Sequence, residues 1–410
     1  MQRSKKNFLT QFKDNLSRKL RTGLIAPKSK DLVIVINLYP LIHPFKWIMR
    51  LKIRKYQRRI INNDFLFAGL VSLFLIFVGV VMAWYNHKII PQNSISLPFY
   101  VLEPHNPLRF LANWDGVNYI RIAKYGYRFI DTNFFPFYPL VIYILHFIFK
   151  SYLISSLVIS WTSLIFASYF YIRISKLLFR IKDNYEALKS LAFFILFPTG
   201  MFLIVSYSEA LMAALLLGAI YYTLTKKYIY AGLLLAFATA ARVDGVFGIL
   251  LVGLLMLEQK EKILKILSIT SIGSIGVLSY CLYLWAKFKN PIAFIDAQKQ
   301  HGWLVSSYSV LISHLNLLKI GFAFLCITTI IYWWNRKRSF SIYSALFLII
   351  PILGRQFGGF NRYMLLCFPL QLMLYETLRK KRLAYSGTMF ISILMWTYYL
   401  FTFTSGYVGG

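Results

Sequence analysis

The stretch Asn113-Trp114-Asp115-Gly116-Val117-Asn118-Tyr119 sets one carboxylate, Asp115, among aromatic residues, with Arg121 and Lys124 close behind. Acids are scarce in this chain: 14 Asp and Glu stand against 46 Lys and Arg. A carboxylate faced by cations and partly shielded from water can take a proton from a weakly acidic hydroxyl, the work of a general base. Asp115 could equally cap a helix or pair with Arg121. Three further segments carry chemistry: Tyr207-Ser208-Glu209, Ala241-Arg242-Val243-Asp244-Gly245 and Asn361-Arg362-Tyr363, the last close to Arg355. Glu209 is suited to the positive end of a helix dipole. An arginine in apolar surroundings needs a partner or an anionic ligand, and Asp244 is the nearest partner for Arg242. Arginines converging on one cavity would bind phosphate or pyrophosphate; the alternative is that they reach out to lipid headgroups. His301 is a lone histidine, better suited to a loop hydrogen bond than to catalysis. No zinc-protease, Walker, dinucleotide or serine-hydrolase motif occurs, and no acids stand at metal-binding spacing. No cofactor is expected and no metal ligands are assigned.

The elements that must position these residues are transmembrane helices. The 410 residues are 58% hydrophobic, 18% aromatic and 15% charged, with a mean hydropathy of +0.58. Apolar runs such as Leu66–Tyr85, Ile263–Ala286 and Leu317–Trp334 approach the ~20 residues that cross a hydrocarbon layer. A β-barrel would need short alternating strands, which are absent. The net charge of +32 is concentrated in short basic clusters between the runs, among them Lys226-Lys227, Lys260 to Lys265, Arg336 to Arg338 and Arg379 to Arg382. That is the positive-inside pattern of cytoplasmic loops, with attraction to anionic membrane lipids as a consequence. It is not the single basic face of a nucleic-acid binder. The cysteines Cys281, Cys326 and Cys367 all sit in apolar runs, so no disulfide framework or metal cluster is indicated.

Residues 1–64 form a basic cytoplasmic or interfacial segment, and 65–410 the membrane domain. Parity of the basic loops gives spans near 66–85, 153–171, 187–205, 208–224, 228–241, 245–257, 263–286, 315–334, 340–353, 363–378 and 385–404, about 11 in all. The apolar but proline-broken Phe134–Phe149 is left to dip into or lie along the outer leaflet. Outer loops then cover 86–152 and 287–314, and the unusual polar residues collect on that face. Segment 108–126 is predicted to be an amphipathic interfacial helix, with Leu111, Asp115, Tyr119 and Ile122 on neighbouring positions and Gly126 ending it.

These segments, in order, resemble the bacterial relatives of the GPI mannosyltransferase II (PIG-V) family. The residues that carry the resemblance are Trp114-Asp115 through Tyr119, Ile122-Ala123 and Gly126-Tyr127; Phe134-Phe135-Pro136-Phe137-Tyr138-Pro139-Leu140; Phe197-Pro198-Thr199 with Tyr207-Ser208-Glu209; Ala241-Arg242 to Gly245; Asn290-Pro291-Ile292-Ala293-Phe294 with Gln298; and Arg362-Tyr363. They cover residues 110–370. The resemblance implies an all-α, GT-C-like bundle in a bacterial plasma membrane rather than the endoplasmic reticulum, acting on the outer face. It implies inverting transfer of a sugar, typically mannose, from a polyprenyl-phosphate donor to a hydroxyl of a lipid, glycan or protein acceptor. Asp115 would be the general base, Arg242 and Arg362 the donor-phosphate ligands with Lys124 or Arg128 in support. Trp114, Tyr119, Tyr138, Glu209 and Gln298 would contact substrate. The chain departs from the family in Val243-Asp244, where Asp244 is placed to neutralise Arg242. A transporter of lipid-linked sugars and a non-catalytic assembly subunit are the alternatives; the first is disfavoured because no internal repeat is visible and the polar residues lie at span ends.

Overall fold

The structure is a computed structural model that describes residues 63–89, 103, 105–301, 317–353 and 359–407. Expectations for the basic segment 1–62, for Arg355 and for residues 302–314 of the second outer loop lie outside them. Every regular element among the described residues is helical. The chain runs through α1 (Asp64–Ile89), a 3-10 turn at Arg109–Leu111, α2 (Asp115–Tyr125), a 3-10 turn at Phe129–Asp131, α3 (Phe137–Phe149) and α4 (Tyr152–Phe179). There follow α5 (Asn184–Ile195), a 3-10 turn at Gly200–Leu203, α6 (Glu209–Leu224), α7 (Tyr228–Ala241), α8 (Gly245–Glu258) and α9 (Ile263–Phe288). The last elements are α10 (Ala293–Gln300), α11 (Leu317–Trp334), α12 (Arg338–Leu353), α13 (Phe360–Tyr363), a 3-10 turn at Met364–Leu366, α14 (Phe368–Leu378) and α15 (Arg382–Thr404).

Four helices, α1, α4, α9 and α11, are long and apolar enough to cross a membrane. Helices α3, α6, α7, α8 and α12 are apolar but only 13 to 16 residues long. Large apolar side chains stay exposed on the outer helix faces, for example Leu70, Phe77, Leu264, Leu278 and Ile331. In water such faces would associate or aggregate; in a bilayer they meet lipid. The protein is an integral, multi-pass helical membrane protein.

Two expected spans are interrupted, each at a proline. The 187–205 run is helical only to Ile195, because Pro198 lacks an amide hydrogen and bends Phe197 away from helical geometry; a 3-10 turn follows. The 363–378 run divides into α13, a 3-10 turn and α14, with Pro369 in the first turn of α14. Helix α2 is also shorter than predicted: it starts at Asp115, and Leu111 belongs to the preceding 3-10 turn. It ends where predicted, at Gly126 with φ +80°, whose N–H donates to Ile122 O.

Helix α4 packs against α1, α3 and α6, and the packing continues from α6 to α7 and from α7 to α9. The start of α4 is strongly capped. The Ser151 hydroxyl accepts from Ile154 N at 3.1 Å, and Glu103 Oε1 accepts from Tyr152 N and Leu153 N at 2.7 and 3.1 Å. At the contact of α7 with α9 the backbones nearly touch. A Cβ on Gly276 would stand 2.0 Å from Ala236 O and 2.6 Å from Thr239 Oγ1, and Thr239 Oγ1 donates to Gly273 O at 2.8 Å. Gly276→Ala should therefore force the two helices apart at a cost of ~1–3 kcal/mol, read as a lower thermal unfolding midpoint in detergent. An unchanged midpoint would show that this contact relaxes freely.

Candidate active site

The stretch before α2 is laid against the segment before α6. Ser206 N donates to Leu111 O at 2.8 Å, and Asn113 Nδ2 donates to Phe403 O of α15 at 2.7 Å. Gly116 is required there, since a Cβ would lie 2.8 Å from Ser206 O. Between these anchors Trp114 takes φ +55°. A bulky residue in the left-handed region stores roughly 1–3 kcal/mol of strain, tolerated only where flanking contacts enforce it. The consequence is that Asp115 opens α2 with its backbone N–H donating to the Tyr207 hydroxyl at 3.2 Å.

Four chain segments that are distant in sequence then meet. Arg362 Nη1 donates to Asp115 Oδ2 at 2.7 Å, and Arg362 Nε is ion-paired with Glu209 Oε1 at 3.1 Å. Arg242 Nη1 donates to the same Glu209 oxygen at 2.8 Å, and Arg242 Nε donates to Asp244 Oδ2 at 3.1 Å. Charge alternates along the row: Asp115, Arg362, Glu209, Arg242, Asp244. Glu209 is 1% exposed, whereas the Asp115 side chain keeps 15% of its surface. Asp115 is thus the outermost of the two carboxylates that share Arg362.

Neutral groups complete the site. Arg242 Nη1 also donates to Ser208 Oγ at 3.1 Å, and Ser208 Oγ shares a 2.8 Å hydrogen bond with the Tyr119 hydroxyl. The Arg362 guanidinium lies 5.4 Å from the Tyr207 ring and 5.6 Å from those of Phe202 and Tyr363, within cation–π range. Burial opposes the charge on Arg242, but the Glu209 and Asp244 carboxylates outweigh it and hold the guanidinium well above its ordinary pKa. Burial likewise pushes the Tyr119 phenol up, so it stays protonated at neutral pH. The Glu209 Oε2, Trp114 Nε1 and Asn361 Oδ1 atoms are buried without a hydrogen-bond partner among the described residues. Such atoms are costly unless a ligand or water meets them. Among the described residues no group of three His, Cys, Asp or Glu is placed to hold a metal.

Of the predicted site residues, the structure brings together Asp115, Arg242, Arg362, Glu209 and Tyr119, with Trp114 adjacent to Asp115. Tyr138 stands one layer behind: its ring packs edge-on against Tyr119 at 4.9 Å, and its hydroxyl donates to Ser156 O at 3.1 Å and shares a 2.9 Å bond with Ser160 Oγ. Tyr138 positions Tyr119. Arg128 and Lys124 stand apart from the row. Arg128 and Arg121 both pair with Asp131, so Arg121 is not the partner of Asp115. Burial opposes ionisation of Asp131, but hydrogen bonds from Arg121 and Arg128 overcome it and hold its carboxyl below the usual range. The Lys124 ammonium is exposed over the Tyr125 ring. Gln298 lies on α10, which packs on the 129–131 turn; His301 Nε2 there makes a 2.9 Å loop hydrogen bond with Ile130 O.

Sequence reasoning assigned no role to Asn113, Tyr207, Ser208 or Asn361. All four lie in motifs it singled out, Asn113, Ser208 and Asn361 next to an assigned residue and Tyr207 two before Glu209, and that proximity is the signal that could have found them. Asp244 was expected to neutralise Arg242 and does pair with it, but Glu209 is the closer partner.

The structure is an all-α, GT-C-like helical bundle in which several apolar helices are long enough to span a membrane. The family described as Mannosyltransferase (PIG-V) matches residues 57–274, more than half of the chain, and the chain belongs to that family. No curated protein and no solved structure matches it. Its general activity is accordingly that of a mannosyltransferase-like membrane glycosyltransferase.

Because Glu209 is shared by both arginines, Glu209→Gln leaves two buried guanidiniums under-compensated. It should destabilise the protein by ~3–5 kcal/mol, against a smaller loss for Asp244→Asn at the end of the row. Thermal unfolding of the two variants in one detergent checks this; equal losses would mean that Glu209 is not the hub.

Proposed function

We propose that the protein moves a sugar, mannose by its family, from a polyprenyl-phosphate donor to an acceptor hydroxyl, with Asp115 as general base. The observation that carries this reading is the position of Asp115. It is one of the two partly exposed ends of a charged row whose two arginines could receive a phosphate. The Oδ2 atom faces Arg362, which leaves Oδ1 to meet an incoming hydroxyl. In the proposed step that hydroxyl gives its proton to Asp115 while its oxygen attacks the anomeric carbon. The bond from that carbon to the phosphate oxygen breaks, and its electron pair leaves with the lipid phosphate. A single displacement of this kind inverts the anomeric centre.

Fixed positive charge where the phosphate gains its electron pair lowers the barrier without reorganisation. Arg362 and Arg242 are the groups suited to that task, and the Nη2 atom of Arg242 makes none of the contacts described above. Both guanidiniums already serve carboxylates, so the donor phosphate joins an existing ion-pair row rather than a bare cationic pocket. Orphaned Glu209 Oε2 and Trp114 Nε1 are an acceptor and a donor suited to sugar hydroxyls. Lys124 and Arg128 stand too far along α2 and the next turn to belong to this row, and their proposed part is narrowed to attracting the anionic donor.

The Asp115–Arg362 bridge also favours a second reading, in which Asp115 only holds Arg362 in place. Asp115→Asn separates the two. General-base loss lowers kcat by about 10²–10⁴-fold with the unfolding midpoint nearly kept, measured by sugar transfer in membranes with a panel of polyprenyl-phosphate sugars. Near-normal turnover, or a loss matched by collapse of the fold, would remove Asp115 as the base. The outer-face assignment has its own test. In Asn118→Cys and Lys299→Cys variants an impermeant maleimide added to intact cells should label both positions; labelling that needs permeabilised cells would invert the topology.

A further inference from the structure

Helix α15 lies beyond the stretch matched to the family, residues 57–274, yet one turn of it touches both ends of the Asp115–Arg362 bridge. The Tyr399 hydroxyl accepts from Asn361 Nδ2 at 2.9 Å, and Asn361 is the residue before Arg362. One turn on, about 6 Å along the axis, Phe403 O accepts from Asn113 Nδ2 at 2.7 Å. Asn113 stands two residues before Asp115. The Phe403 side chain makes a third link. Its ring packs 5.4 Å from that of Tyr207 and 5.9 Å from that of Phe202, the rings over which the Arg362 guanidinium lies. The Tyr207 hydroxyl in turn holds Asp115 N.

Neither end of the bridge is held firmly by its own local backbone. Asp115 follows irregular chain with Trp114 at φ +55°, and α13, which carries Arg362, is only four residues long. Coulomb attraction keeps such a pair together but, being non-directional, does not fix where it sits. The end of α15 is anchored independently: Asn86 Nδ2 of α1 donates to Phe401 O, Thr404 Oγ1 and Ser405 Oγ at 3.0, 2.8 and 2.9 Å. Tyr399, Phe403 and Thr404 are all buried. We propose that Tyr399 and Asn113 are positioning residues for the reaction, and that α15 is a brace setting Asp115 against Arg362. The assignment rests on the reading above of these two side chains as the reacting base and the phosphate ligand.

Tyr399→Phe removes one oxygen and keeps the buried ring. Tyr398→Phe removes the same oxygen from the next residue, which is 61% exposed, and serves as the control. In sugar-transfer assays on the full-length protein, Tyr399→Phe should lower kcat about 10- to 100-fold, the scale of a small misplacement of reacting groups. Its donor KM should stay within about twofold, since the contact acts in the transition state rather than in binding. Tyr398→Phe should change neither. On an Asp115→Asn background Tyr399→Phe should cost less than about twofold more, because residues acting as a unit are not additive. Hydrogen exchange needs no turnover: in Tyr399→Phe the amides of 113–119 and 359–366 should exchange faster, while 236–240 and 273–280 stay unchanged. Asn113→Ala should loosen the same segments from the other end. Unchanged exchange at both segments in Tyr399→Phe, or an equal loss of kcat with and without Asp115, would overturn the brace. A bridge loosened by exchange but with normal kcat would sink Asp115 and Arg362 as reacting groups and leave the brace standing.

Discussion

The site depends on one buried carboxylate. Glu209 faces two guanidiniums with the same oxygen, one from the turn after α7 and one from α13. An unpaired buried charge costs several kcal/mol, and so would either arginine left alone in this setting. Each member of the row is therefore affordable only because its neighbours are there. This mutual dependence draws α2, α6, the α7–α8 turn and α13 to one point. The row ends in two partly exposed carboxylates, Asp115 and Asp244, with Glu209 buried between them.

The neutral scaffold makes that meeting geometrically possible. Gly116 lets α2 approach the Ser206 backbone, and Gly276 lets α7 and α9 approach each other. Breaks beside Pro198 and Pro369 interrupt two helical runs, which leaves irregular backbone near the charged row. Such backbone is tolerated at membrane depth where it is buried in protein or lines a cavity. The strained Trp114 is the sharpest case, held by contacts on both sides so that Asp115 begins its helix at the Tyr207 hydroxyl.

Charge on this surface is divided by role. The row at Asp115 interleaves three carboxylates with two guanidiniums, so every guanidinium is paired and one formal negative charge is in excess. A second group, Arg121 and Arg128 on Asp131, ties the end of α2 to the following turn, over which α10 packs. Lys124 and Lys287 remain over aromatic rings at the surface. Short-range pairing thus builds the interior, and the exposed cations are left for long-range attraction.

Much of this protein was legible from residue order alone. Long apolar runs and basic punctuation determined a multi-pass helical membrane protein, because a hydrocarbon layer admits few other ways to satisfy a backbone. The ordered motifs determined the family, and the scarcity of acids singled out Asp115, Glu209 and Asp244. What pairs with what was settled only by the fold. Asp115 has Arg121 six residues away, yet bridges to Arg362, 247 residues on, while Arg121 turns to Asp131. Arg242 has Asp244 two residues away, yet its nearer carboxylate is Glu209. Pattern reasoning favours local partners because it cannot measure burial. In the folded bundle desolvation decides, and the costliest charges must be satisfied by whichever partners the packing brings to them.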